Sequence, residues 1–367
     1  MDRQKLQRLS VITASSVAAV LFALLICGII LLSTGRSAID VYRTMWDSAL
    51  TRRVQYDGLD RSAPLMLAGC AVALGFKMNL FNIGVEGQYR LAALLAAVIG
   101  TRLGFLPAPL HVFTELLIAC IGGAAWASIV AILKVKRGVN EVISSIMLNA
   151  IAIDIAAWLF NTYFRFNQPG SQNITTKPIP RSGWMPDIVK DQLNGFFIIA
   201  LLVVAAFWVV VFKSRFGFRL RASGQNDVAA RTSGISAKRM IITAMLLSGG
   251  VAGLIGMQQT LGNAHSYSSQ GFVDQIGFLG IAVALLGRNH PIGIVLSAVL
   301  FGLLAASAGK LQLIHVPQEI VQIILGVIVL TVVIVNQTTG RWIDKRIQQQ
   351  ASRAVEHDPA TTGAVAA

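Results

Sequence analysis

The stretch from Asn79 to Gln88 gathers the chemistry of this chain. Phe81, Asn82, Gly84, Glu86, Gly87 and Gln88 stand together at the head of an apolar run that continues to Val98. Amides and a carboxylate in nonpolar surroundings hydrogen-bond a neutral polar solute or one another, because a buried polar group left alone is costly. Glu86 would cost ~2.5–3.5 kcal/mol at the centre of a membrane-crossing helix. It therefore faces a cavity or pairs locally, with Arg90 four residues on as the near partner. The two glycines allow close backbone approach or a break in the helix. A second polar stripe opens with Asn140 and Glu141, a cap with acid in the first turn. Ser145, Asn149, Ala152 and Ala156 follow at helical spacing, a pattern that lines a path or lets helices pack closely. Asp154 lies about 140° around that helix from Asn149, so the two are not one ligand set. Gly249, Gly253 and Gly256 form a small-residue packing face. Gln258 and Gln259, just beyond, meet a polar solute or the membrane boundary.

Catalytic and metal-binding patterns are missing. The nearest string to a phosphate-binding loop, Gly302 to Lys310, lacks both the Gly five residues before Gly309 and the Ser or Thr after Lys310. Neither HExxH nor GxSxG occurs, and no His or Cys cluster has metal spacing. His111, His265, His290, His315 and His357 fall at or near expected loops and ends, which reads as solvated surface. Cys27, Cys70 and Cys120 lie in apolar stretches, as packing residues rather than a disulfide framework or a zinc site. No catalytic residue, metal site or cofactor is expected in this chain.

Composition identifies the elements that must position these residues. Of 367 residues, 54% are hydrophobic and 13% charged, against ~25% charged in soluble domains. Mean hydropathy is +0.65. A soluble enzyme, a disordered chain and a nucleic-acid binder are all poor fits, despite a net charge of +14. The expected fold is all-α, a polytopic membrane protein of about ten transmembrane helices in one permease-like domain over 1–340, with a cytoplasmic tail, 341–367, lacking apolar periodicity. The apolar segments are 11–33, 63–76, 80–101, 109–133, 140–163, 195–212, 240–261, 272–287, 292–309 and 318–336. The second and eighth are short, and Gly75, Lys77 and Asn79 interrupt the chain between the second and third. Broken segments of this kind surround solute paths in transporters.

Nineteen of the 31 Lys and Arg fall on one side if the N-terminus is inside, which places both termini in the cytoplasm. The outer segment 164–194 is turn-rich. The inner segment 213–239 has room for a short helix over 225–232, capped by Asn226 or Asp227 and bounded by Gly224 and Gly234. Ala71 to Leu74 echoes Ala282 to Leu285, each before a basic residue and an Asn, as in duplicated transporter halves.

The run from Phe81 to Gln88 resembles the signature segment of ABC importer permeases for simple sugars and nucleosides. Three further stretches carry the same resemblance, in order, across most of residues 60–335. Gly138 to Asn149 is similar to the fifth-span motif of the nucleoside (purine nucleoside) branch. Arg221 to Ile235 is similar to the loop that docks on the ATPase. Gly277 to Gly287, followed by Pro291 and Gly293, is similar to the eighth-span motif. The resemblance implies a non-enzymatic subunit of the bacterial cytoplasmic membrane, which pairs with a second permease as a heterodimer. Its other implied partners are an ATP-binding subunit that holds ATP and Mg, an extracellular solute-binding lipoprotein and membrane lipid. It implies a substrate path at Phe81, Asn82, Glu86, Gln88, Ser145 and Asn149. The implied docking loop comprises Gly224, Asn226, Asp227, Ala229, Ala230 and Gly234. The Glu that often precedes the two alanines in this loop is Val228 here. Two alternatives stay open. One is the same architecture carrying ribose, galactose or another simple sugar. The other is an ion-coupled secondary transporter using Glu86 and Asp154.

Overall fold

The computed structural model describes residues 21–33, 35, 37–167, 174–272, 275–309 and 311, with a few isolated positions between 323 and 335. The described residues divide between two compact units, Asp40–Gln318 and the chain on either side of it. Outside the large unit, Leu21–Ser33 forms an apolar helix, α1. The expected segment 318–336 and the tail 341–367 lie largely or wholly outside the described residues. The chain is mostly helical. After α2 (Ala38–Ala49) come α3 (Arg52–Phe76), α4 (Val85–Gly100), α5 (Ala108–Ile132), α6 (Glu141–Leu159), α7 (Phe196–Trp208), α8 (Arg215–Gln225), α9 (Asp227–Thr232), α10 (Ala237–Gly253), α11 (Ile276–Leu286) and α12 (Pro291–Ala308). Leu133–Arg137, Phe160–Phe164 and Val209–Lys213 extend α5, α6 and α7 by one π turn each. The turn-rich segment after α6 holds two small antiparallel pairs, Phe166–Asn167 with Ile174–Thr175 and Asp187–Val189 with Leu193–Asn194.

Among the described residues, six helices are long and apolar enough to cross a membrane: α3, α5, α6, α7, α10 and α12, counted with their extensions, that of α10 reaching Asn263. Burial ranks them. The apolar window of α3 is 83% buried, those of α10 and α12 are 61% and 50%, and those of α5, α6 and α7 are 22–28%. The core is therefore α3, walled by α10, α11 and α12, with α5, α6 and α7 at the rim. The sequence explains the order. Ala63, Ala68, Gly69, Cys70, Ala71, Ala73 and Gly75 are all buried on α3, and such small residues let neighbouring backbones close in. Gly249 and Gly253 of α10 meet the backbone of α5 at Gly123 and Ala119, where a Cβ has no room. Their packing role is the one expected from the sequence.

Two expectations need correction. The segment 63–76 was expected to be short, but α3 starts at Arg52 and runs 25 residues. Its polar first half stays helical because its charges are met. Arg61 pairs with Asp57 one turn away at 3.0 Å, and buried Asp60 accepts from the Asn194 backbone N–H at 3.1 Å. Pro64 lies within this helix and has no N–H to offer the Asp60 carbonyl four residues earlier. Gln258 supplies the missing donor: its Nε2 gives hydrogen bonds to the Asp60 carbonyl at 2.8 Å and to Asp60 Oδ2 at 2.6 Å. Gln258 is thus a buried structural amide, not a boundary residue. Segment 213–239 holds more than the one short helix that its sequence suggests: α8 precedes that helix, capped by Ser214 Oγ accepting from the Gly217 N–H at 2.9 Å.

The echo between the two halves has a structural counterpart. α3 and α11 both end in a turn closed five residues back, Leu80 N–H to the Gly75 carbonyl and Asn289 N–H to the Ala284 carbonyl. Both turns carry left-handed residues, Asn79 in one and Arg288 and Asn289 in the other.

Replacing Gln258 with near-isosteric Leu should lower stability by about 2–3 kcal/mol, the cost of stranding a buried carbonyl and a carboxylate oxygen. Adding Pro64→Ala should recover part of that loss, since Ala restores the N–H. Thermal unfolding of the lipid-reconstituted protein reads both. An unchanged midpoint for Gln258→Leu would contradict this account of α3.

Candidate functional site

Between Phe76 and Val85 the chain leaves the helix and must satisfy its polar groups by other means. Asn82, only 2% exposed, solves most of this. Its amide pairs reciprocally with that of Gln88, at 3.0 and 2.9 Å. Asn82 Oδ1 also accepts from the Gly84 N–H, and Nδ2 donates to Ser248 Oγ on α10 at 2.9 Å. Ser248 Oγ in turn donates a hydrogen bond to the Ala71 carbonyl of α3 at 2.6 Å. From α6, Ser145 Oγ accepts the Ile83 N–H and Asn149 Oδ1 accepts the Gly87 N–H. Gly87 is required at this crossing, because a Cβ would run into Ala152 and the Asn149 carbonyl. Glu86 fastens the other side. Its Oε1 accepts from the Tyr89 hydroxyl at 2.8 Å and from Arg90 Nη2 at 3.0 Å, and its Oε2 accepts from the Gly277 N–H of α11 at 3.1 Å. One polar hub thus joins α3, α4, α6, α10 and α11.

The structure therefore brings Asn82, Glu86, Gln88, Ser145 and Asn149 into one hydrogen-bonded cluster. Phe81 stands apart, 45% exposed and edge-on to Phe76 at 4.9 Å. The Glu86–Arg90 pair is the one expected from the spacing. Ser248, Tyr89 and the Gly277 N–H were missed. Ser248 carried a weak signal as a polar neighbour of the Gly249 face, whereas a backbone N–H on a distant helix leaves none.

The 224–234 segment is built as a separate projection. Asn226 caps α9, accepting from the Val228 and Ala229 N–H groups at 3.1 and 3.0 Å. Asp227 instead pairs with Arg231 at 2.6 Å. Gly234, at φ +76°, ends the helix in the left-handed region. Ala230 is buried while Ala229 and Val228 are exposed. The projection is tied to the broken segment. Asn79 Nδ2 donates to the Gly224 carbonyl at 2.7 Å. Leu220 of α8 shares a core cluster with Met78 and Leu80. Beside them, Lys77 Nζ lies 5.0 Å from the Phe212 ring, and burial, then the nearby Arg221 charge, lowers its pKa.

The histidines depart from the solvated reading. His111 is fully buried, with Nδ1 2.7 Å from Ser182 Oγ and Nε2 3.1 Å from the Gly100 carbonyl. His265 stacks on Trp184 with ring centroids 3.8 Å apart. His290 is exposed, as expected; His315 and His357 lie outside the described residues.

Glu86→Ala should destabilise the protein by about 3 kcal/mol, since it takes the carboxylate from part-buried Arg90 and the acceptor from the Tyr89 hydroxyl and the Gly277 N–H. The double variant with Arg90→Leu should lose less than the sum of the single losses. Additive losses in unfolding titrations would show that the pair does not couple.

A family profile described as "Branched-chain amino acid transport system / permease component" matches residues 56–333. The guanosine ABC transporter permease protein NupP of Bacillus subtilis (strain 168) is 35% identical over 86% of this chain and 91% of its own length. The nucleoside ABC transporter permease protein NupB of Lactococcus lactis subsp. cremoris (strain MG1363) is 32% identical over 85% of this chain and 88% of its own. The glucose ABC transporter permease protein TsgB13 of Haloferax volcanii is 33% identical over 86% and 85%. No solved structure matches the chain. The profile covers the whole bundle from α3 to beyond α12, and the relatives cover nearly all of both chains. This chain belongs to that permease family, and is a multi-pass ABC transporter permease of the inner membrane.

Proposed function

We propose that this chain is the membrane subunit of an ATP-driven importer for nucleosides. The observation that carries the reading is the bond from Asn79 to the Gly224 carbonyl, which ties the end of α8, at the base of the projecting segment, to the broken segment that leads into the polar hub. Such a projection suits a separate ATP-binding subunit, which would hold ATP and Mg. Gly224, Asn226, Asp227, Ala229, Ala230 and Gly234 form the docking loop, with exposed Val228 as an apolar knob rather than a charge. Both chain termini and this loop lie on the cytoplasmic side, where the basic residues gather. A second permease completes the path, about ten helices cross per chain, and a solute-binding lipoprotein delivers cargo from outside. Asn82, Glu86, Gln88, Ser145 and Asn149, bonded to one another and to the backbone, brace the wall of the path from behind, with Phe81 at its edge.

Nucleoside cargo is supported by the likeness to NupP and NupB over almost their whole length. A simple sugar is the second reading, favoured by the comparable likeness to TsgB13. A permease path binds its cargo weakly, because a ligand shifts a two-state equilibrium only by its differential affinity for the two states.

Uptake of labelled guanosine, uridine, ribose and glucose, in cells with and without the chain, tests the cargo. Loss of nucleoside uptake alone is expected; loss of sugar uptake alone would overturn it. Asn79→Gly keeps the left-handed backbone and removes only the amide. It should cut uptake about tenfold, the worth of one hydrogen bond, at unchanged protein level. Wild-type uptake by this variant would sever the link between loop and hub.

A further inference from the structure

Helices α5, α6, α7 and α12 expose stripes of side chains along their length, and one stripe is unlike the others. On α5 the exposed positions include Phe113, Leu117, Ile121 and Ile129, and on α12 they are Ile292, Leu296 and Leu300. α7 exposes Ile198, Leu201, Leu202 and Trp208. These faces suit lipid tails. The stripe of α6 runs through Ile143, Met147, Ala150, Asp154 and Trp158, all exposed. Asp154 stands about 20 Å along the helix from Glu141 and about 15 Å from Phe164, at 1.5 Å per residue. The hydrocarbon core is about 30 Å thick, so Asp154 sits near its middle. Two other acidic side chains of the bundle are buried and met within the protein. Asp60 has Gln258 and Asn194, and Glu86 has Tyr89, Arg90 and the Gly277 N–H. A third, Glu115, is fully enclosed by the protein 3.3 Å from His111 Nε2, with neither carboxylate oxygen hydrogen-bonded. Asp154 is exposed, and no basic side chain pairs with it among the described residues.

A carboxylate at that depth facing lipid would cost ~2.5–3.5 kcal/mol or more, and such groups face a bundle interior or a water-filled cavity instead. We infer that the exposed α6 stripe faces a water-filled solute path with a second permease chain as its opposite wall, and that Asp154 accepts hydrogen bonds from the hydroxyl or amino groups of a neutral solute. The inference rests on the transport reading above, but its first test does not. Ala150, one turn from Asp154, leaves room for the solute. Asn161 and Thr162 are exposed at the end of the same helix, so the stripe also ends in polar groups. Met147 and Trp158 supply apolar surface above and below the carboxylate, which suits a solute with one flat face and several donors.

The test is cysteine accessibility in membranes that carry the whole transport system. Asp154→Cys is exposed to a water-soluble, membrane-impermeant thiol reagent, with Leu117→Cys and Leu296→Cys as lipid-facing controls. The unmodified chain, with Cys27, Cys70 and Cys120, sets the background. Labelling at 154 should be at least ~10-fold faster than at either control, as water contact at mid-depth requires, and saturating guanosine should slow it. Labelling no faster than the controls would overturn the inference. Fast labelling slowed by glucose but not by guanosine would uphold it while overturning the nucleoside reading. Fast labelling that no solute slows would overturn the solute contact. As a second variant, Asp154→Asn should keep normal protein levels and raise the KM for uptake with little change in kcat, and an unchanged KM would also count against that contact.

Discussion

A backbone that leaves the helix within a packed bundle must find a partner for the N–H and C=O groups it buries, because water does not reach them there. The stretch from Lys77 to Gly84 imposes that constraint on this molecule, and the reciprocal amide pair of Asn82 and Gln88 answers it. Because Asn82 also holds Ser248, and Ser248 holds the Ala71 carbonyl, satisfying one broken segment fixes α3 and α10 relative to α4. Ser145 and Asn149 add α6, and Glu86 adds α11. The same groups that make the break tolerable therefore make it the junction of the bundle. Pro64 poses a smaller version of the problem on α3, and Gln258 solves it in the same way.

Close packing makes these polar contacts possible. Hydrogen bonds of about 3 Å between helices require backbones to approach, and the residues at the crossings are small: Gly87 against Asn149 and Ala152, Gly249 and Gly253 against α5, and Gly277 against Glu86. Bulky apolar side chains are turned outward, on α5, α7 and the outer face of α12. Small residues inside and large ones outside is the arrangement expected where lipid gives helices no hydrophobic reason to associate. α6 breaks the pattern by carrying a carboxylate outward, and for that reason its exposed face differs in role from the others.

Much of this was legible in the sequence, and the remainder has definite physical reasons. Periodicity and apolar runs located α5, α6, α7, α10 and α12 to within a few residues, since a span is long enough for its pattern to exceed local noise. The break after Phe76 was visible in Gly75, Lys77 and Asn79. The Glu86–Arg90 pair followed from helical spacing alone, as did the cap at Asn226. The first half of α3 was missed because Asp57, Asp60 and Arg61 read as a loop until their partners are known, and Asn194 and Gln258 are more than 130 residues away. For the same reason the sequence could not separate path lining from packing at Ser145 and Asn149, whose partners are backbone groups of α4 and its approach. His111 looked solvated because it begins a helix, yet Ser182, from the segment after α6, covers it.

The central claim is that the docking loop and the broken segment move as one body, joined by the Asn79 bond to Gly224 and by Leu220 packed with Met78 and Leu80. The most direct test is the distance between nitroxide labels at Val228→Cys and Phe81→Cys, both exposed positions, with the native cysteines replaced. It would be measured in the reconstituted transporter without nucleotide and again with ATP trapped. A distance distribution that stays the same in both states is the predicted result. A shift of several ångströms between them would mean that the loop moves independently of the hub, and would contradict the account.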